Sequence, residues 1–75
     1  MTIYHLDNDD FSGVFSTYEK ALASALNCAA VMNCDMTAIP QDGWVQIHYT
    51  WPEANEEAFA YITELILEKD YVVED

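Results

Sequence analysis

Four side chains of this chain have the donor chemistry of a zinc site: His5, Cys28, Cys34 and His48. Their spacing does not match that chemistry. Structural zinc sites use close C-x2-C pairs or paired histidines, and neither occurs here. A Cys–His nucleophile is equally unsupported, because Cys28 falls on an apolar helical stripe, where thiols are inert. If Cys28 and Cys34 share one helix, they stand about 9 Å apart along its axis. An intrachain bridge needs Cα atoms within about 7 Å, so two reduced thiols are expected. The stretch DNDDFSG places Asp7, Asp9 and Asp10 within four positions, but it lacks the alternating ligands and terminal glutamate of a calcium loop. Only Gly13 and Gly43 are available for a phosphate-binding loop, which needs more. Carboxylates are so abundant that no single pair of them identifies an acid–base couple. The expectation is a chain with no catalytic residue, no metal site and no cofactor.

That abundance is itself the strongest signal. Fourteen Asp and Glu face two basic residues, Lys20 and Lys69, for a net charge of −12 over 75 residues. Such a charge weakens a compact state by self-repulsion. A disordered acidic tail would be poor in aromatics, whereas this chain is 52% apolar and 13% aromatic. One folded domain over residues 1–75 is expected, with an acidic exterior. Direct binding to DNA, RNA or an anionic membrane is excluded as a class, because all three are polyanions. The complementary partner is a basic protein surface, above all a groove built to hold nucleic acid. Solubility or adaptation to high salt would produce the same composition. Met1 leads into a short strand with no basic leader segment, and no apolar run reaches the ~18 residues of a membrane span. A cytoplasmic protein is therefore expected.

The elements that would carry these charges follow from periodicity. Residues 2–6 (TIYHL) read as a strand, DNDD as a turn, and 11–15 as either a second short strand or a loop. Ser16 and Glu19 form a capping box. Behind it Tyr18, Ala21, Leu22, Ala25, Cys28, Ala29 and Met32 share one helical face, which predicts a helix over about 16–33. Residues 36–40 form a strand, and Asp42-Gly43 signals a hairpin. Along 44–50, Val45, Ile47 and Tyr49 alternate with Trp44, Gln46, His48 and Thr50, and the first set is expected to face the core. Pro52 suits the first turn of a second helix running to about Lys69; residues 71–73 add a final edge strand in one topology, and residues 11–15 supply the extra strand in the other. The expected fold class is α+β: a small antiparallel sheet of three to four strands with two helices packed on one face. Two topologies fit, a ferredoxin-like βαββαβ and a tandem ββα.

The second helix concentrates the charge. Ala54, Ala58, Phe59, Ile62, Leu65 and Ile66 fall on one stripe at ~100° per residue. Glu53, Glu56, Glu57, Glu64 and Glu68 fall on the opposite arc, with no basic i,i+4 partner. Such a row would extend roughly 22 Å and imitate a dilute line of phosphates. Glu53, Glu56 and Glu57 also suit a helix N-terminus, but Glu64 and Glu68 do not. Leu67 would sit within the arc as an apolar anchor. Asp7, Asp9 and Asp10 supply a second acidic knot, although Asp and Asn also simply make good turns. Trp44 would be an exposed contact residue if helices cover one sheet face, or a lid on the hairpin end.

In size, composition and this Glu53–Glu68 row, the chain resembles the small acidic phage-encoded anti-CRISPR proteins and anti-restriction DNA mimics. The resemblance carries no motif. It implies a non-catalytic inhibitor that blocks a nuclease or CRISPR effector complex in the host cytoplasm. Two other readings share the composition: an immunity or antitoxin protein masking a basic toxin, and an acidic structural domain that forms a homodimer through its sheet face.

Overall fold

The computed structural model of the chain describes residues 1–68. Six elements follow one another: β1 (Thr2–Asp7), β2 (Ser12–Phe15), α1 (Tyr18–Met32), β3 (Asp35–Pro40), β4 (Trp44–Trp51) and β5 (Glu56–Ile66). The strands form one sheet in the order β2-β1-β5-β4-β3, and every neighbouring pair is antiparallel. The helix α1 covers one face of it. The expected sheet of three to four strands with two helices is overturned, and with it both topologies: the described residues form one helix on a five-stranded sheet in the order ββαβββ.

The helix forms where the stripe placed it, two residues later at its start and one earlier at its end. Its N-cap is Thr17 rather than Ser16; the Thr17 hydroxyl accepts from the Lys20 amide at 3.2 Å. Asn33 closes it in the left-handed conformation (φ 55°), and the Cys34 amide reaches back to the Ala29 carbonyl at 3.0 Å. Ala21, Ala25 and Ala29 are buried against the sheet. Their small side chains let the helix lie close over Leu6, Ile47, Tyr49 and Ile62, the largest fully buried side chains. Each of these contributes roughly 1.5–3 kcal/mol by leaving water. Two polar tips tie sheet to helix: the Tyr49 hydroxyl donates to the Ala25 carbonyl at 2.9 Å, and the Trp51 indole N–H to the Met32 carbonyl at 3.1 Å. The second bond satisfies a last-turn carbonyl that no helical amide can reach.

The expected second helix is a strand, β5, and the central one of the sheet. Ala54, Ala58, Ile62 and Ile66 recur every four residues, a spacing that satisfies period 3.6 and period 2 alike. The two periods part company at Phe59 and Leu65, which a helix would bury with Ile62 and which alternation sends to the other face. Pro52–Asn55 makes the reversal that a helix start would have used. Ala54 N–H donates to the Trp51 carbonyl at 3.0 Å, and Asn55 exits with φ 53°. A helix would have lined five unpartnered glutamates on one arc; the strand separates Glu57 from Glu56 and Glu64 by alternation and pairs its backbone on both sides. Residues 71–73 and Lys69 lie outside the described residues.

Antiparallel register sorts every strand residue to a face. Tyr4, Leu6, Val45, Ile47, Tyr49, Ala60 and Ile62 point to the helix. Ile3, His5, Trp44, His48, Phe59, Tyr61 and Leu65 point away from it. No described element covers that second face. No helix among the described residues is long and apolar enough to cross a membrane.

Candidate functional site: an acidic pole beside an open aromatic face

Chain direction carries most of the described carboxylates to one end of the sheet. β1 ends there at Asp7, β3 begins there at Asp35, and the β4–β5 turn brings Glu53, Glu56 and Glu57. The β1–β2 turn adds Asp9 and Asp10. Of the fourteen carboxylates, Asp70, Glu74 and Asp75 lie outside the described residues; seven of the other eleven sit at this pole. The helix also ends there, so the negative end of its macrodipole adds to the same field. Glu19, Asp42, Glu64 and Glu68 lie toward the opposite end, together with Lys20 and the N-terminal ammonium.

The acidic β1–β2 turn is built rather than loose. Asn8, set among the three aspartates, accepts from the Asp10 amide at 2.7 Å through its side-chain oxygen, an Asx-turn. Its side-chain N–H2 donates to the Phe59 carbonyl at 2.7 Å. β1 stops at Asp7 while β5 continues to Glu56 at this end, so that carbonyl has no strand partner on this side. Asn8 supplies one and anchors the turn on β5. Asp7, Asp9, Asp10 and Glu57 thereby surround a shallow cavity of ≈ 400 Å³ walled by Phe59 and Tyr61.

The expected contact residues are therefore regrouped. Asp7, Asp9, Asp10 and Glu57 meet, with Glu53 and Glu56 along the same end. Glu64 and Glu68 do not join them, because the helical arc that would have aligned them does not exist. Leu67 is half-buried at the far end of β5, where its carbonyl accepts from the Met1 ammonium at 2.8 Å and its amide donates to the Met1 carbonyl at 2.7 Å. It does not sit within a helical arc of glutamates. Trp44 stands on the uncovered face at 36% exposure. Asp42-Gly43 turns the chain before it, with Gly43 at φ 82°.

Sequence reasoning missed Phe59 and Tyr61 because it assigned them to a helix. The indole of Trp44 and the ring of Tyr61 lie 5.6 Å apart, while His48 stacks on Phe59 at 4.7 Å with planes 6° apart. Glu57 closes the second group with a 2.8 Å hydrogen bond to His48 Nε2. The alternating Phe59-Ala60-Tyr61-Ile62-Thr63 run, rich in aromatic and β-branched residues, was the available signal.

The Cys34 thiol and the buried Tyr49 phenol both favour their protonated forms. Both cysteines are free. Burial pushes the Cys34 thiol up, and the adjacent Asp35 carboxylate adds to the shift, so its thiolate is disfavoured. Burial, with smaller contributions from Cys28 and Cys34, pushes the Tyr49 phenol up to about 12. Among the described residues no group of three or more His, Cys, Asp or Glu is placed to hold a metal ion.

No family model matches the chain, and no curated protein or solved structure matches it.

Proposed function

We propose that this chain is a non-catalytic inhibitor that occupies a basic, nucleic-acid-binding surface of a host defence complex, of the anti-CRISPR or anti-restriction kind, in the cytoplasm of the infected cell. The observation that carries this reading is the gathering of seven carboxylates at one end of the molecule, around the negative end of the helix. Dispersed acid would serve solubility at lower electrostatic cost. Collected acid costs self-repulsion and generates a local field that attracts cations. Adjacent strand ends stand ~4.8 Å apart. Carboxylates carried on neighbouring ends therefore form a diluted version of an array with one charge per ~3.4 Å of each DNA strand. Arginines and lysines that grip phosphates would grip these instead.

The mechanism is competition. Low-salt affinity capture from a bacterial lysate, released by a salt step, identifies the partner. Fluorescence anisotropy of labelled DNA or RNA on that partner then measures displacement. The chain should release the nucleic acid, and pre-bound nucleic acid should exclude the chain. Replacing Asp9, Asp10, Glu53 and Glu57 together by their amides should weaken displacement about tenfold, the combined effect of several solvent-exposed ion pairs. A ternary complex of chain, partner and nucleic acid would rule mimicry out. A captured toxin with no nucleic acid on its contact surface would favour the immunity-protein reading instead.

A further inference from the structure

The acidic pole attracts cations in general; the uncovered sheet face is selective among them. We infer that this face is a docking surface for arginine side chains of the partner protein, centred on the Trp44–Tyr61 pair. The inference rests on the proposed function and adds to it the contact surface and its side-chain chemistry.

Three observations carry it. First, the part of the face around the pair is apolar and open: Trp44 is 36% exposed, Tyr61 41%, Ile39 36% and Leu65 39%, whereas Ile3 on β1 is buried. Soluble monomers seldom leave such side chains contiguous without a use. Second, each aromatic group has a carboxylate beside it. Asp7 stands directly across from Tyr61 in the β1–β5 ladder. Glu57 lies against the His48–Phe59 stack. A guanidinium is flat and weakly hydrated, so it lies on a ring while its N–H fork reaches a carboxylate. A lysine ammonium, compact and strongly hydrated, gains less from the ring. Third, among the described residues the charged ones on this face are Asp7, Asp35 and Glu57, all acidic, with neither lysine nor arginine in the strands that form it.

Charge complementarity therefore selects a cationic occupant. A second copy would bring like-charged rims together on two chains of net charge −12 each. Five strands ~4.8 Å apart, the longest rising ~3.4 Å per residue, outline a face on the order of 20 by 35 Å. That approaches the ~800 Å² each partner contributes to a standard interface.

The test uses the intact chain with two probes, deca-arginine and deca-lysine peptides at one ionic strength. Tryptophan fluorescence reads affinity, and amide and indole NMR shifts read location. The arginine peptide should bind about three- to tenfold more tightly, the range expected of cation–aromatic contacts. Its shifts should centre on the Trp44 indole and on His48, Phe59 and Tyr61. Replacing Trp44 and Tyr61 together by alanine should erase the preference and leave lysine-peptide affinity within about twofold, as expected when only exposed charge remains. Tyr61→Leu, which keeps apolar bulk on the strand, should reduce the preference even if the double variant does not fold. Equal affinity for the two peptides overturns the inference, as do shifts confined to the turns at 8–11 and 52–55. A dimer in sedimentation that Tyr61→Glu dissolves would assign the face to a second copy and likewise overturn it. Arginine preference without nucleic-acid displacement would remove the proposed function and leave this surface standing. Displacement with no preference would do the reverse.

Discussion

Tyr49 is fully buried, yet it keeps a hydroxyl in the core because that hydroxyl donates to the Ala25 carbonyl. The carbonyl belongs to a helix interior, so its removal from this bond leaves no orphaned group. Tyr49→Phe should therefore cost only about 1 kcal/mol at neutral pH, measured by urea unfolding. Alkaline conditions should amplify the contrast. The folded phenol ionises near 12 rather than at its ordinary 10, so only the unfolded chain releases this proton in between. The stabilisation is complete below the unfolded value and is lost as pH rises through the folded one. Over that window wild-type stability should fall by up to about 1.4 kcal/mol per pH unit more steeply than that of Tyr49→Phe. Parallel unfolding curves for the two proteins from pH 9 to pH 11.5 would contradict the burial of this group. Residues of this kind were partly legible in advance: Val45, Ile47 and Tyr49 were expected in the core from alternation alone. The hydrogen bond that makes Tyr49 tolerable there depends on where the helix crosses the sheet, which local sequence does not specify.

At the scale of elements, α1 and β4 were legible because their apolar residues satisfy one period and violate the other. β5 was not, because its four-residue apolar spacing serves both periods. What decided it was tertiary: β5 gains ladders on two sides and an apolar partner for each of Ala60 and Ile62. A solitary helix would have had unpaired glutamates and no such neighbours. The helix–sheet layer is close-fitting for the opposite reason, that its contact residues are the smallest available. Ala25 is fully buried, directly over the sheet and next to the Tyr49 bond. Ala25→Leu inserts a branched side chain where no space was left and should destabilise by about 1–3 kcal/mol. Thermal unfolding followed by circular dichroism would measure it. Leu26, already 57% exposed, provides the matched control, since Leu26→Ala should change stability far less. The acidic knot at 7–10 was visible in the sequence as a composition. Its meeting with Glu57 was not, because Asn8 reaches across 51 positions to a carbonyl of a strand that had been assigned as a helix.

For the whole molecule, a charge of −12, with seven of the eleven described carboxylates gathered at one end, sets the response to salt. Screening shortens the Debye length from about 30 Å at 0.01 M to about 8 Å at 0.15 M and relieves repulsion among carboxylates on different strand ends. The melting temperature should rise across that range by on the order of 5 °C, given that 1 kcal/mol moves a domain of this size by about 4–8 °C. The variant with Asp9, Asp10, Glu53 and Glu57 amidated should melt higher at low salt and respond less to added salt. A melting temperature that is flat in salt for both proteins would mean that the carboxylates do not strain the fold, and with that the argument from electrostatic cost would fail.

The arrangement of poles has a kinetic corollary. β5, with 11 residues at ~3.4 Å each, is too long for any but the greatest of the 45 × 24 × 19 Å dimensions, so the strands run along the length of the molecule. Seven of the eleven described carboxylates and the helix carbonyls lie at one tip; at the other, Lys20 and the Met1 ammonium partly offset the remaining four. An elongated body polarised end to end experiences a torque in the field of a distant positive charge. It would rotate before it arrived, and a larger share of diffusive collisions with a cationic target would begin with the right end forward.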